Sequence, residues 1–258
     1  MLRTIALLAL ASGCATEPSA DGEGPGGGGG KGDDPTTTSP TLAPSYALEL
    51  VSTTTIQDDR EAAPTELAMR ARARMKVVSV AGGVAAIEVR LCDVTLPQVS
   101  GYQPELDAAF VAGLPVVKLA GTVADGRLVT APAAIVLGAR LGDVLDDALP
   151  DDETDTRVHD QDADGNAGVS IRIPGYGSIF SVLRVALALD VPLSDAATLS
   201  GTADIALDRA IFGDDIWFYD ARSSLAETEA HVTVLATDNG VRLKAGPTGC
   251  NGVRAAFP

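Results

Sequence analysis

From Met69 to Val77 the chain alternates without a break. Met69, Ala71, Ala73, Met75 and Val77 stand at odd positions, with Arg70, Arg72, Arg74 and Lys76 between them. Side chains of a strand point to opposite faces at successive residues, so this pattern specifies a β-strand with one apolar and one wet face. The basic row is the expected wet face; an anion-binding stripe is the competing reading. The same period marks Tyr46, Leu48 and Leu50, then Ile87, Val89 and Leu91, with Glu88 and Arg90 facing out. Further on it marks Leu183, Val185, Leu187, Leu189 and Val191, and then Leu199, Ala203, Ile205 and Leu207.

The links between these runs are short. Gly82-Gly83 turns the chain, but a two-residue loop would pair 81 with 84 and set the two odd-numbered inward rows on opposite faces. A three-residue loop or a bulge is therefore expected. Asp125-Gly126 predicts a hairpin between 116–123 and 127–136. Pro192 to Ala197 forms a turn. Ala230, Val232, Val234 and Ala236 are expected to line one more strand, and Asn239-Gly240 carries a type I′ signal that sets Ala236 opposite Leu243. The best helix candidate is 102–113, with Pro104 in its first turn and Gly113 at its end. A second short helix or a turn covers Asp143 to Ala148. Eight to ten strands with hairpin-length links predict a mainly β fold: an antiparallel meander closed as a barrel or packed as a two-sheet sandwich, with one or two short helices. Aromatic residues are only 4% of the chain while hydrophobic residues are 46%, so Val, Leu, Ile and Ala must fill the core.

One loop departs from this pattern. Asp160, Asp162 and Asp164 stand at alternate positions before Gly165 and Asn166. Alternate carboxylates in a tight loop can converge on a hard cation, which takes six to eight oxygens. The run Asp160 to Asn166 resembles the calcium loops of EF-hands, dockerins and thrombospondin-type repeats. That resemblance implies Ca²⁺ held by Asp160, Asp162, Asp164 and the backbone carbonyl of Asn166. The twelfth position, where an EF-hand has a bidentate Glu, is Ile171, so binding is expected to be weak, about millimolar. Asp151, Asp152, Glu153 and Asp155 are the nearest sources of further oxygens within the acidic stretch 151–171. A solvated acidic turn is the competing reading.

The N-terminal segment is a targeting signal in pattern. Arg3 precedes an apolar run from Ile5 to Ala11, and Ala11-Ser12-Gly13-Cys14 follows. It resembles the bacterial lipoprotein signal and its lipobox, with Ala11 where Leu is usual. The resemblance implies that residues 1–13 are a signal peptide, that Cys14 is lipidated, and that Ala15, not Asp, directs the protein to the outer membrane. Residues 14–44 are rich in Gly, Thr and Pro and are expected to form a disordered tether. The single domain is then 45–258. In an exported protein Cys92 and Cys250 are expected to form a disulfide; two buried thiols are the alternative.

No motif names a reaction: G-x-S-x-G and H-E-x-x-H are both absent from the sequence. His159 and His231 lie outside any ligand or catalytic spacing. The formal net charge of −16 disfavours nucleic acid and suits divalent cations. The aromatic segment Ile211 to Asp220 is expected to be a hydrophobic plug, a recognition loop being the sharper alternative. The sequence as a whole is similar to acidic, β-rich bacterial lipoproteins. It predicts a non-enzymatic, lipid-anchored envelope domain, stabilised by calcium and serving structure or binding an envelope partner. The alternative is a lipocalin-like carrier of a small apolar ligand.

Overall fold

The computed structural model describes residues 42–98, 101–217 and 220–258. The signal peptide, Cys14 and nearly all of the tether lie outside the described residues, as do Phe218 and Tyr219. Ten strands and three helices follow in the order β1 (Ser45–Asp58), β2 (Thr65–Ala81), β3 (Val84–Thr95), α1 (Ala108–Gly113), β4 (Val117–Ala124), β5 (Arg127–Thr130), β6 (Ala133–Leu137), β7 (Val169–Ile173), β8 (Gly177–Pro192), β9 (Thr198–Asp214), α2 (Ala221–His231), β10 (Val232–Ala245) and α3 (Cys250–Ala256).

All the strand pairings are antiparallel, and the sheet rings round on itself. β5-β4-β3-β2-β1-β10-β9-β8 follow in hydrogen-bonded order, and β5 pairs back onto β8 through Leu128 opposite Val191. The free length of that same β8 edge is taken by β6 (Leu137 opposite Leu183) and then by β7 (Ile171 opposite Ile179). In β1, β2, β3, β8 and β9 the inward rows are those that the alternation marks, whereas Val234 and Ala236 of β10, expected inward, are exposed. Leu48, Met75, Ile87, Leu128, Leu189, Val191 and Leu243 are almost wholly buried at one end of the ring. Each such side chain contributes about 1.5–3 kcal/mol of apolar transfer.

The β2–β3 hairpin resolves its parity conflict with a bulge. Ala81 opposes Val84 across Gly82 and Gly83, both at positive φ. The register then slips between Val77 and Ser79, so that Val77 and Ile87 oppose one another on the inward face. A second slip beyond Arg72 gives β3 an extra residue, Cys92, which turns outward onto α3 and packs with Ala47, Val253 and Phe257.

Four expectations need correction. The helix expected over 102–113 begins only at Ala108, because Asp107 caps it through Phe110 N–H (2.8 Å) while Glu105 is tied to Arg172 in an isolated bridge. The expected strand 127–136 is cut at Pro132, which has no N–H to give a ladder; its second half crosses over to β8 as β6. Ala230 lies in α2, not in a strand, since the Asp220 carboxylate accepts the Ser223 N–H (3.0 Å) and starts a helix there. Asn239-Gly240 makes no hairpin: both residues lie inside β10, opposite Ser52 and Val51 of β1. The unbroken β1 ladder outweighs the turn preference, and Ala236 is exposed while Leu243 is buried. Three helices are present among the described residues, one more than the upper expectation.

Candidate functional site

The acidic loop enters the fold between β6 and β7. Gly138 and Gly168 approach so closely that a Cβ on Gly138 would stand 2.7 Å from the Gly168 Cα, and one on Gly168 would stand 2.3 Å from the Ser181 carbonyl. Both glycines also have positive φ, so neither position accepts a side chain. This pinch holds the loop against β8. Gly138 N–H donates to Gln161 Oε1 (2.6 Å), and Gln161 N–H donates to the Gly168 carbonyl (3.1 Å). Between these ties Ala163 sits at φ 60°, a left-handed conformation that costs a non-glycine residue.

The strained turn brings the three aspartates together. One carboxylate oxygen from each of Asp160, Asp162 and Asp164 lies within 4.8 Å of the others. The loop's own N–H groups orient them. Asp160 accepts from Gly165 N–H (2.8 Å), Asp164 from Asn166 N–H (2.9 Å), and Asp162 from Ser170 N–H (2.8 Å). Ser170 Oγ donates to the second Asp164 oxygen (2.5 Å). Asp162 Oδ1 is buried and has no hydrogen-bond partner among the described residues. Burial first, and then the charge of Asp164, push the Asp162 carboxyl above the ordinary carboxylate range. Burial would also raise Asp164, but the bonds from Ser170 and Asn166 outweigh it and leave that carboxyl below its ordinary value. A cation would relieve the first shift and supply the missing partner of Asp162 Oδ1.

The other acidic residues considered for the site do not join the triad. Asp155 pairs with Arg157 (2.7 Å), and Asp152 accepts from Thr154 N–H and Oγ. Ile171 is buried among apolar side chains of β7 and β8 and offers no twelfth ligand. Asn166 is fixed beside the triad through its N–H. His159 is held by its backbone, donating its N–H to the Gly138 carbonyl, and His231 closes α2 beside Asp59 (3.0 Å). The loop faces a groove of about 820 Å³ whose walls add Asp93, Glu105 and Asp107 to Asp162 and Asp164.

Cys92 and Cys250 are joined in a disulfide, with Cα atoms 5.2 Å apart. It fastens α3 to the outside of the ring, where Arg254 also donates to the Cys92 carbonyl (2.6 Å). In the basic row of β2, Arg70 and Arg72 are salt-bridged on the outer face and Arg74 donates to the Thr248 carbonyl (2.8 Å). Arg70 and Arg72 converge with Arg242 on Glu49, which is 1% exposed. Nothing in the period-two pattern singles out Glu49, because an outward Glu ordinarily stays wet. In the aromatic segment Ile216 is buried with Ile173, Ile179 and Ala221, whereas Trp217 is 83% exposed.

The ring's other end is hollow. A cavity of about 180 Å³ lies among Ala71, Leu91, Leu183, Val185, Leu207 and their neighbours. Its lining includes the small inward residues Ala71 and Ala73, which leave space where larger side chains would fill it. Ser181 and Arg209 are its only polar lining residues among those described. The wall beside it is incomplete: β9 pairs with β10 only over Thr198–Thr202, and α2 packs against both strands where they part. Compared with protein-family models, with curated proteins and with solved structures, the chain matches none.

Proposed function

We propose that this chain is a lipid-anchored envelope domain that carries a small apolar molecule inside its ring of strands. The observation that supports this most is the 180 Å³ cavity with its almost wholly apolar lining. Apolar cavities of about 150 Å³ stay dry and accept molecules of benzene size, so the occupant is a small hydrocarbon body and not a full-length lipid. The lipobox-like Cys14 would tether the domain to the outer membrane by its acyl chains, on the flexible segment 14–44, with the acidic body held away from nucleic acid and anionic surfaces. The test is displacement of an environment-sensitive apolar dye. The purified chain is expected to bind the dye saturably, one per chain, and to release it to n-heptane. Membrane partition of a Cys14→Ala variant tests the anchor: the variant is expected in the soluble fraction.

A second reading concerns the acidic loop, and the buried, unpartnered Asp162 Oδ1 favours it. In this reading Ca²⁺ sits among Asp160, Asp162 and Asp164, stiffens the 151–171 loop, and stabilises the domain for an envelope partner. The two readings are compatible, since the loop is pinned to β8, one wall of the cavity. A calcium titration followed by thermal melting separates them, because the first reading requires no cation.

A further inference from the structure

Two hydrogen-bond donors in the cavity have nothing to bond to among the described residues. Ser181 is 1% exposed, and its Oγ has no hydrogen-bond partner among the described residues. The Arg209 side chain is only 10% exposed, and its Nε is buried without a partner among the described residues. A buried donor left unsatisfied costs about 1–3 kcal/mol, so two in one cavity ask for an explanation. Their placement supplies one. Leu183 opposes Arg209 across β8 and β9, and Ser181 lies two residues before Leu183 on the same inward face. Ser181 and Arg209 are thus diagonal neighbours, a spacing of about 7–8 Å between backbones that long side chains bridge readily.

We propose that Ser181 and Arg209 form a dock for a single uncharged carbonyl oxygen, and that the ligand of the cavity is a short aliphatic chain ending in an ester, ketone or amide. This rests on the carrier reading above and adds the chemistry of the ligand's head. A carbonyl oxygen has two lone pairs and accepts from both donors. The case for an uncharged head comes from what already surrounds the guanidinium. Its Nη2 donates to Glu229 of α2 (2.8 Å), which is half exposed. Asp208 adds a second negative field. Burial depresses the Arg209 basicity to about 10, which still leaves it charged at neutral pH. A carboxylate head would place another anion in an apolar chamber where the one cation is already balanced, and an unpaired buried charge is strongly disfavoured. An alkane would leave both donors unmet.

The experiment compares methyl hexanoate, the hexanoate anion and n-heptane as ligands of the full chain, in wild type, Arg209→Met and Ser181→Ala. Met fills the volume of the arginine stem and leaves Glu229 at the surface, so no buried charge is stranded. Arg209→Met is expected to weaken methyl hexanoate about tenfold, the worth of a hydrogen bond from a charged donor. Ser181→Ala is expected to weaken it about threefold. Heptane should bind all three proteins alike. Unchanged ester affinity in Arg209→Met overturns the dock, as does an equal loss for heptane, which marks a collapsed cavity. Hexanoate binding more tightly than its ester overturns the uncharged head. If heptane and ester both fail to bind wild type, the carrier reading fails and the dock with it.

Discussion

The aspartate triad makes a prediction in which sign separates a cation site from an acidic turn. The perturbation is Asp162→Asn, studied with and without calcium. In the metal-free protein three carboxylates hold oxygens within 4.8 Å of one another. Two unit charges at that distance repel by about 1 kcal/mol in water, and by more where burial thins the solvent. Burial first, and then the charge of Asp164, raise the Asp162 carboxyl above its ordinary value. A group whose folded value lies above its unfolded one stabilises the fold when protonated, and that stability is lost as pH rises through the folded value. At neutral pH the charged Asp162 is therefore a cost. Asparagine removes it and still accepts from Ser170 N–H. Metal-free Asp162→Asn should melt higher than wild type, by about 1 kcal/mol, or about 2–4 °C for a body of this size. With calcium at ten times a roughly millimolar dissociation constant, wild type should gain about 1.4 kcal/mol, or about 3–6 °C. The variant should gain almost nothing, so the order of the two proteins reverses or closes. The assay is a thermal melt across a calcium titration with a chelated control. A flat wild-type response up to tens of millimolar calcium would refute the cation site. An equal rise in both proteins would refute the assignment to Asp162.

Three further outcomes follow from other parts of the fold. The Cys92–Cys250 bond closes a loop of 158 residues in sequence, for which chain entropy gives about 5 kcal/mol; a Cys92→Ala/Cys250→Ala variant should melt about 10–20 °C lower, and a shift below about 2 °C would show that the loop is not constraining the unfolded chain. Glu49→Gln leaves Arg70, Arg72 and Arg242 facing a neutral group, and because Arg70 and Arg242 are about half exposed, urea unfolding should show a loss of about 1–2 kcal/mol. Arg60 donates to the Asp58 carboxylate and holds it at about 2, and Arg157 does the same for Asp155. Both folded values lie below the unfolded one, so this stability is present above about pH 4 and is lost as pH falls through about 2; Asp58→Asn should flatten that acid limb in a pH-dependent melt.

The parts of the fold legible in the sequence are those where one face is buried and the other wet. β2, β3, β8 and the first part of β9 carry that contrast residue by residue, so their inward rows could be named, and the Gly82-Gly83 parity conflict located a bulge. Legibility failed where tertiary pairing overrides local preference. Asn239-Gly240 is a strong turn signal, yet the β1 ladder runs through it from Tyr46 to Asp58. It also failed for α2, whose Ala221–His231 run has no strong apolar face to mark it. In the candidate site, the aspartate triad was visible because its spacing is local, whereas the further oxygens sought in Asp152 and Asp155 are engaged in their own turns. Arg209 was missed because a charged residue in an inward row looks like the end of that row. Its ion-pair partner Glu229 comes from a helix and Ser181, the other polar residue of the cavity, from a neighbouring strand, and no sequence spacing links the three.

If the ring encloses a ligand chamber, calorimetric titration of n-heptane into the full chain and into an Ala71→Phe variant reads it out. Ala71 lines the cavity from β2, so a phenyl ring there should fill it. Saturable one-to-one binding to wild type is expected, with the negative heat-capacity change of apolar burial, and its loss in a variant that keeps its far-ultraviolet dichroism. Equal binding to both proteins would place the ligand elsewhere. No saturable binding to wild type would mean that the ring holds no ligand chamber.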